Sequence, residues 1–120
     1  MLESGFPPLP DSLRPYELTV PPQVRFGPGR IAEVGEIAAG LGRRVWLVTG
    51  GESFARSGGR EPLLAGIAAA GLSAEQVAGS AGEPTIAHVA TALAGLPPDR
   101  EGVVVVAVGG GATIDLAKAL

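Results

Sequence analysis

The chain reads as an α/β protein, a Rossmann-like parallel sheet with helices on both faces, on three observations. Short apolar runs alternate with helical periodicities, two of those runs end in glycine clusters, and the last run, Val103–Val108, has no polar residue to turn toward water. A strand of that last kind is expected to be covered on both faces, as strands of parallel sheets are. Gly109, Gly110 and Gly111 follow it, and residues 112–120 then favour helix. Glycines let the backbone take positive φ and let an anion approach the amides closely. The first N–H groups of the helix, at the positive end of its dipole, face the same spot. Two readings fit this junction: a diphosphate cradle, or a turn that merely lets strand and helix pack tightly.

The remaining elements follow in order. Pro7, Pro8, Pro10 and Pro15 fix φ and withhold donors, so residues 1–15 read as a flexible lead-in. Residues 16–26 alternate weakly around Pro21 and Pro22, which suggests a short edge strand or hairpin, with Phe26-Gly27-Pro28-Gly29 turning into the next element. Ile31, Val34, Ile37, Ala38 and Leu41 recur at helical spacing, and Gly42 stands where a left-handed cap would stop that helix. Residues 45–49, Val-Trp-Leu-Val-Thr, are short and apolar enough for a buried strand, ended by Gly50 and Gly51. Pro62 opens a helix over 63–70 closed by Gly71, and 75–79 suggest a brief strand. Thr85 can cap a helix through Ala94 with Ile86, Val89, Ala90 and Leu93 on one face, ended by Leu96-Pro97-Pro98-Asp99.

Alternation of this kind implies right-handed crossovers and ligands outside the carboxyl ends of the strands. Both glycine junctions lie at such ends, so one long dinucleotide lying across them is expected. Composition narrows the partners. The 120 residues are 46% hydrophobic and 4% aromatic, so the core must come from Val, Leu, Ile and Ala. The 19 Gly and 11 Pro fall between periodic segments and act as punctuation. A net charge of −3 with scattered arginines offers no basic patch, which argues against nucleic acid. The chain has no cysteine, so disulfides and thiolate metal sites are excluded. No apolar stretch approaches the roughly 18 residues that span a bilayer and no signal-like start is present, so no membrane partner is expected and the chain reads as cytoplasmic.

The ordered segments PPQVRFGPGRI, VWLVTGG, GEPT and VVAVGGGATIDLAKAL resemble the N-terminal region of the iron-containing, or group III, alcohol dehydrogenases, relatives of dehydroquinate synthase and glycerol dehydrogenase. The resemblance covers residues 16–120, read as a partial dinucleotide-binding domain. Its most specific piece, GGGATIDLAKA, looks like the family's GGGSxxDxAKA with Ala112 in place of serine. It implies that Gly109, Gly110, Gly111, Ala112 and Thr113 contact the cofactor diphosphate, mainly through main-chain N–H groups, and that Asp115 lies close to the cofactor. Asp115 reads equally well as a first-turn acid favouring the helix dipole, an effect of about 0.3–1 kcal/mol. Lys118 reads as solvated or ion-paired.

Gly50 stands where many NAD-preferring members of that family carry an aspartate for the ribose 2′-hydroxyl, and TGGESFARSG resembles the turn of NADPH-using relatives. NADP is therefore expected ahead of NAD, with Gly50 and Gly51 beside the ribose, Ser53 donating a hydrogen bond and Arg56 supplying charge, against the opposing charge of Glu52. Arg56 also reads as a plain surface arginine. Glu83-Pro84-Thr85 matches a family turn near the nicotinamide, so a contact from Glu83 is open, while Thr85 reads as a helix cap. His88, the single histidine, receives no ligand role, because one imidazole cannot assemble a metal site.

The resemblance further implies a divalent iron or zinc held by one aspartate and three histidines, mainly from a C-terminal helical domain. No such residues follow Leu120, so the chain reads as an incomplete N-terminal domain with that helical domain absent, inactive alone, and no catalytic residue or metal ligand is assigned within it. The expected chemistry of the whole is hydride transfer between nicotinamide and a small alcohol or aldehyde, with the metal as Lewis acid. A dehydroquinate-synthase-like or glycerol-dehydrogenase-like member, or a non-catalytic nucleotide-binding fragment, are the alternatives. An incomplete sheet would expose an edge and apolar area, which points to a homo-oligomer or poor solubility.

Overall fold

The computed structural model describes residues 23–80 and 82–120. A 3₁₀ turn, Arg30–Glu33, runs into α1 (Val34–Ala39). Then come β1 (Arg44–Gly50), α2 (Glu52–Arg56), α3 (Arg60–Ala69), β2 (Ser73–Ser80), α4 (Ile86–Ala94), β3 (Val103–Val108) and α5 (Gly111–Lys118). The three strands form one parallel sheet in the order β2-β1-β3. The β1-to-β2 crossover runs one way across the sheet and the β2-to-β3 crossover runs back past β1, which places α2 and α3 on one face and α4 on the other and opens a switch point between the ends of β1 and β3.

Side-chain alternation along β1 divides the core in two. Val45 and Leu47 face Ala38 of α1, Phe54 of α2, and Leu63 and Ile67 of α3. Val48 faces Leu116 and Ala117 of α5, with Val89 and Ala92 of α4 beside them. Five consecutive residues of β1, Val45 through Thr49, are buried because both faces and both edges of that strand are covered. β2 carries a bulge between its pairings with Leu47 and Val48, so that Val77 and Ala78 both turn toward the α5 face. At the amino ends of the strands, Arg44 bonds the carbonyls of Asp99 and Glu101, which ties the start of β1 to the turn before β3.

Several sequence expectations change. β3 is placed as read, yet none of its residues is fully buried and Val105 is 42% exposed. Among the described residues it is an outer strand, so the apolar run does not mark complete burial. The first helix is split, with 3₁₀ geometry ahead of α1, and its cap is Gly40 in right-handed geometry. Gly42 is not left-handed; a Cβ there would stand 2.6 Å from Gly102 O, so close backbone approach is what requires glycine. β2 is longer than the 75–79 reading, and α2 was not foreseen. The apolar face of α4 is largely unburied, with Ile86 at 91% exposure. Gly71 does adopt φ +78 behind α3, with Leu72 N–H reaching Ile67 O at 3.2 Å, the wrapped ending expected of a glycine stop. The lead-in at 1–15 lies outside the described residues, as does most of the 16–26 strand, and residues 23–26 form no strand. Among the described residues no helix is long and apolar enough to cross a membrane.

Candidate functional site

The register sets the site. Thr49 pairs with Val108 across the β1/β3 junction, so the turns carrying Gly50 and Gly109 leave the sheet side by side at its carboxyl edge. A Cβ on Gly50 would lie 3.9 Å from Gly109 Cα and 3.0 Å from Thr113 Oγ1. The two glycine junctions that sequence spacing singled out are thus one locus, at the switch point where open α/β sheets receive ligands.

The three consecutive glycines do different things. A Cβ on Gly109 would fall 2.5 Å from Thr113 Oγ1, so this glycine is required by the chain's own packing. Among the described residues, a Cβ at Gly110 or Gly111 would meet nothing within 4 Å beyond its immediate neighbours. No contact among the described residues explains glycine there, and the two positions form an open floor beside the start of α5. Gly110 caps that helix in extended geometry without a side-chain cap, and the N–H of Ile114 is the first to turn back, onto Gly110 O at 3.2 Å. Helix geometry leaves the amides of Gly111, Ala112 and Thr113 ahead of it without intrahelical acceptors, with the positive dipole end behind them. This donor set suits an anion with several oxygens.

The side chain of Thr113 turns inward. It is 2% exposed, and its hydroxyl lies 2.7 Å from that of Ser80, itself buried at the end of β2. Ser80 therefore bridges β2 to the first turn of α5 behind Gly50, fixing where the free amides point. Sequence reading missed Ser80, which lies one residue beyond the strand recognised there and belongs to no motif.

Asp115 is the fifth residue of α5, past its first turn, so the helix-dipole reading lapses; its carboxylate sits 3.8 Å from Lys118 Nζ, an exposed pair one turn on. That contact makes Lys118 the ion-paired residue expected. Arg56 is held by Glu52 at 2.6 Å, both side chains exposed, in an i,i+4 pair on α2. This favours its surface reading and removes it as the expected free charge. Ser53 is exposed on α2 and does not line the cleft beside Gly50 and Gly51. Thr85 is the cap of α4, its hydroxyl accepting from His88 N–H at 3.1 Å, and Glu83 is exposed just before it. Among the described residues no three His, Cys, Asp or Glu side chains converge on a common point that could hold a metal ion.

Comparison with known proteins agrees with this arrangement. The family model of the iron-containing alcohol dehydrogenases matches residues 21–120. Among solved structures, the NADH-dependent butanol dehydrogenase A of Thermotoga maritima superposes with a TM-score of 0.73 at 27% identity, covering 87% of this chain and 26% of that one. The chain thus spans about a quarter of that enzyme's length. No curated protein matches the sequence. With the matched residues taking in both glycine junctions and all three strands, the chain belongs to the iron-containing alcohol dehydrogenase family.

Proposed function

We propose that the chain is the nicotinamide-dinucleotide-binding part of an oxidoreductase acting on a small alcohol or aldehyde. The observation that carries this reading is the open floor at Gly110 and Gly111 beside three amides without intrahelical acceptors, in the turn whose Gly109 lies next to Gly50. A diphosphate would lie on the amides of Gly111, Ala112 and Thr113, with Gly110 allowing its approach and Gly109 holding the turn. The adenosine end would pass Gly50 and Gly51, and Asp115 would lie to one side of the bound cofactor. When bound, the nicotinamide would supply hydride transfer. The residues of this chain bind and orient: Ser80 and Thr113 set the angle of the amide row, and β1 and β3 hold the two glycine turns together. The named activity of the butanol dehydrogenase neighbour supports an alcohol-linked reaction with a reduced nicotinamide.

The test is equilibrium titration of the chain with NADH and NADPH, followed by nicotinamide fluorescence, with competitors. Saturable binding displaced by ADP and not by nicotinamide mononucleotide is expected, because the anchoring groups face the diphosphate and adenosine. A folded chain that binds neither dinucleotide overturns the reading.

A further inference from the structure

Beside Gly50, on the α2/α3 face of the sheet, lies a cleft of about 280 Å³ at the carboxyl ends of β1 and β2, lined among others by Thr49, Gly50, Gly51, Glu52, Arg60 and Gln76. Its volume falls below the roughly 300–1,000 Å³ of a whole small-molecule site, so it suits one end of a longer ligand. A hydrogen-bonded relay crosses it. Arg60 Nη1 donates to Gln76 Oε1 at 3.0 Å, and Gln76 Nε2 donates to Thr49 Oγ1 at 2.9 Å, with Thr49 only 4% exposed. Arg60 is thereby positioned by an amide rather than neutralised by a carboxylate, and among the described residues no acid lies within 4.0 Å of its guanidinium. The acid lining the cleft, Glu52, is already matched by Arg56.

We infer that Arg60, held by Gln76 and Thr49, recognises a phosphate monoester on the adenosine ribose and so selects NADP over NAD. The inference rests on the dinucleotide reading above and adds to it the residue that discriminates the two cofactors. With the diphosphate on α5, the ribose beyond it passes Gly50, where no carboxylate stands to repel a 2′-phosphate. One nitrogen of Arg60 is committed to Gln76, which leaves the remaining N–H donors of the planar fork for phosphate oxygens. Gln76 is a positioning residue acting through Arg60.

Dissociation constants of the full chain for NADPH and NADH, and for 2′,5′-ADP against 5′-AMP, test this. The parent is expected to bind the 2′-phosphorylated member of each pair more tightly. Arg60→Gln, which keeps a partner for Gln76, should weaken NADPH binding roughly 10- to 100-fold, the range of charge-assisted hydrogen bonds, while NADH changes less than about twofold. Arg60→Lys should restore part of the preference, and Gln76→Ala should erode it without moving NADH. Parent affinity for NADH equal to or above that for NADPH overturns the role of Arg60 and leaves the dinucleotide reading standing; so does an equal loss for both cofactors in Arg60→Gln. Failure of a folded parent to bind any of the four ligands overturns both.

Discussion

Replacing Gly109 and Gly111 one at a time by alanine should move stability in opposite directions, although the two positions are two residues apart in a uniform glycine run. At Gly109 the added methyl would stand 2.5 Å from Thr113 Oγ1 and 2.8 Å from Thr113 Cβ, in a side chain that is 2% exposed and cannot swing away. Overpacking of this kind costs about 1–3 kcal/mol. At Gly111, the first residue of α5, the methyl meets nothing within 4 Å among the described residues beyond its immediate neighbours, and alanine reduces the freedom of the unfolded chain, a gain of about 0.4–1 kcal/mol. The variants should therefore differ by roughly 1.5–4 kcal/mol, or on the order of 6–30 °C in Tm for a domain of this size. Trp46 is the single tryptophan and is buried on β1, so its emission in urea titrations follows the core directly. Equal midpoints for the two variants, or a less stable Gly111→Ala, would refute the assignment of one glycine to packing and the other to open space.

Two further outcomes follow from single contacts. Ser80→Ala strands the buried Thr113 hydroxyl and should cost about 1–3 kcal/mol, whereas Ser80→Ala combined with Thr113→Val should cost clearly less than the two single changes together; additive values in urea unfolding would contradict a direct bond between the hydroxyls. At the opposite edge of the sheet, the Glu101 N–H and then the Arg44 guanidinium hold the Asp99 carboxyl below its usual 3.8. A lowered native value contributes stability that is fully present above the unfolded value and lost as pH falls through the native one. The stability difference between parent and Asp99→Asn should thus be constant above about pH 5 and shrink below pH 4, and a difference that grows on acidification would contradict it.

The sequence carried the backbone of the site further than its side chains. Val103–Val108 and the glycines behind it were legible because a long apolar run and missing Cβ atoms are strong local signals, and parallel pairing then put Gly50 and Gly109 together. Thr85 was legible because capping is local. What escaped depends on tertiary geometry. Ser80 and Thr113 meet across 33 residues, and Arg60, Gln76 and Thr49 assemble from α3, β2 and β1, with no spacing to announce them. Arg56 illustrates the converse: it stands in a suggestive run, yet Glu52 four residues earlier claims its charge. The unburied apolar face of α4 and the half-covered β3 show that an apolar pattern reports a tendency to be covered, which these residues alone do not complete.

The most direct measurement is the affinity of Gly110→Val and Gly111→Val for NADH and NADPH, beside their unfolding midpoints. Because a Cβ at either position meets no atom of the described residues within 4 Å beyond its immediate neighbours, both variants should fold like the parent. They should nevertheless lose binding of both dinucleotides by at least about tenfold, since a branched side chain would stand between the diphosphate and the α5 amides. Parent-like affinity in a folded Gly110→Val or Gly111→Val chain would contradict the placement of the cofactor at this turn.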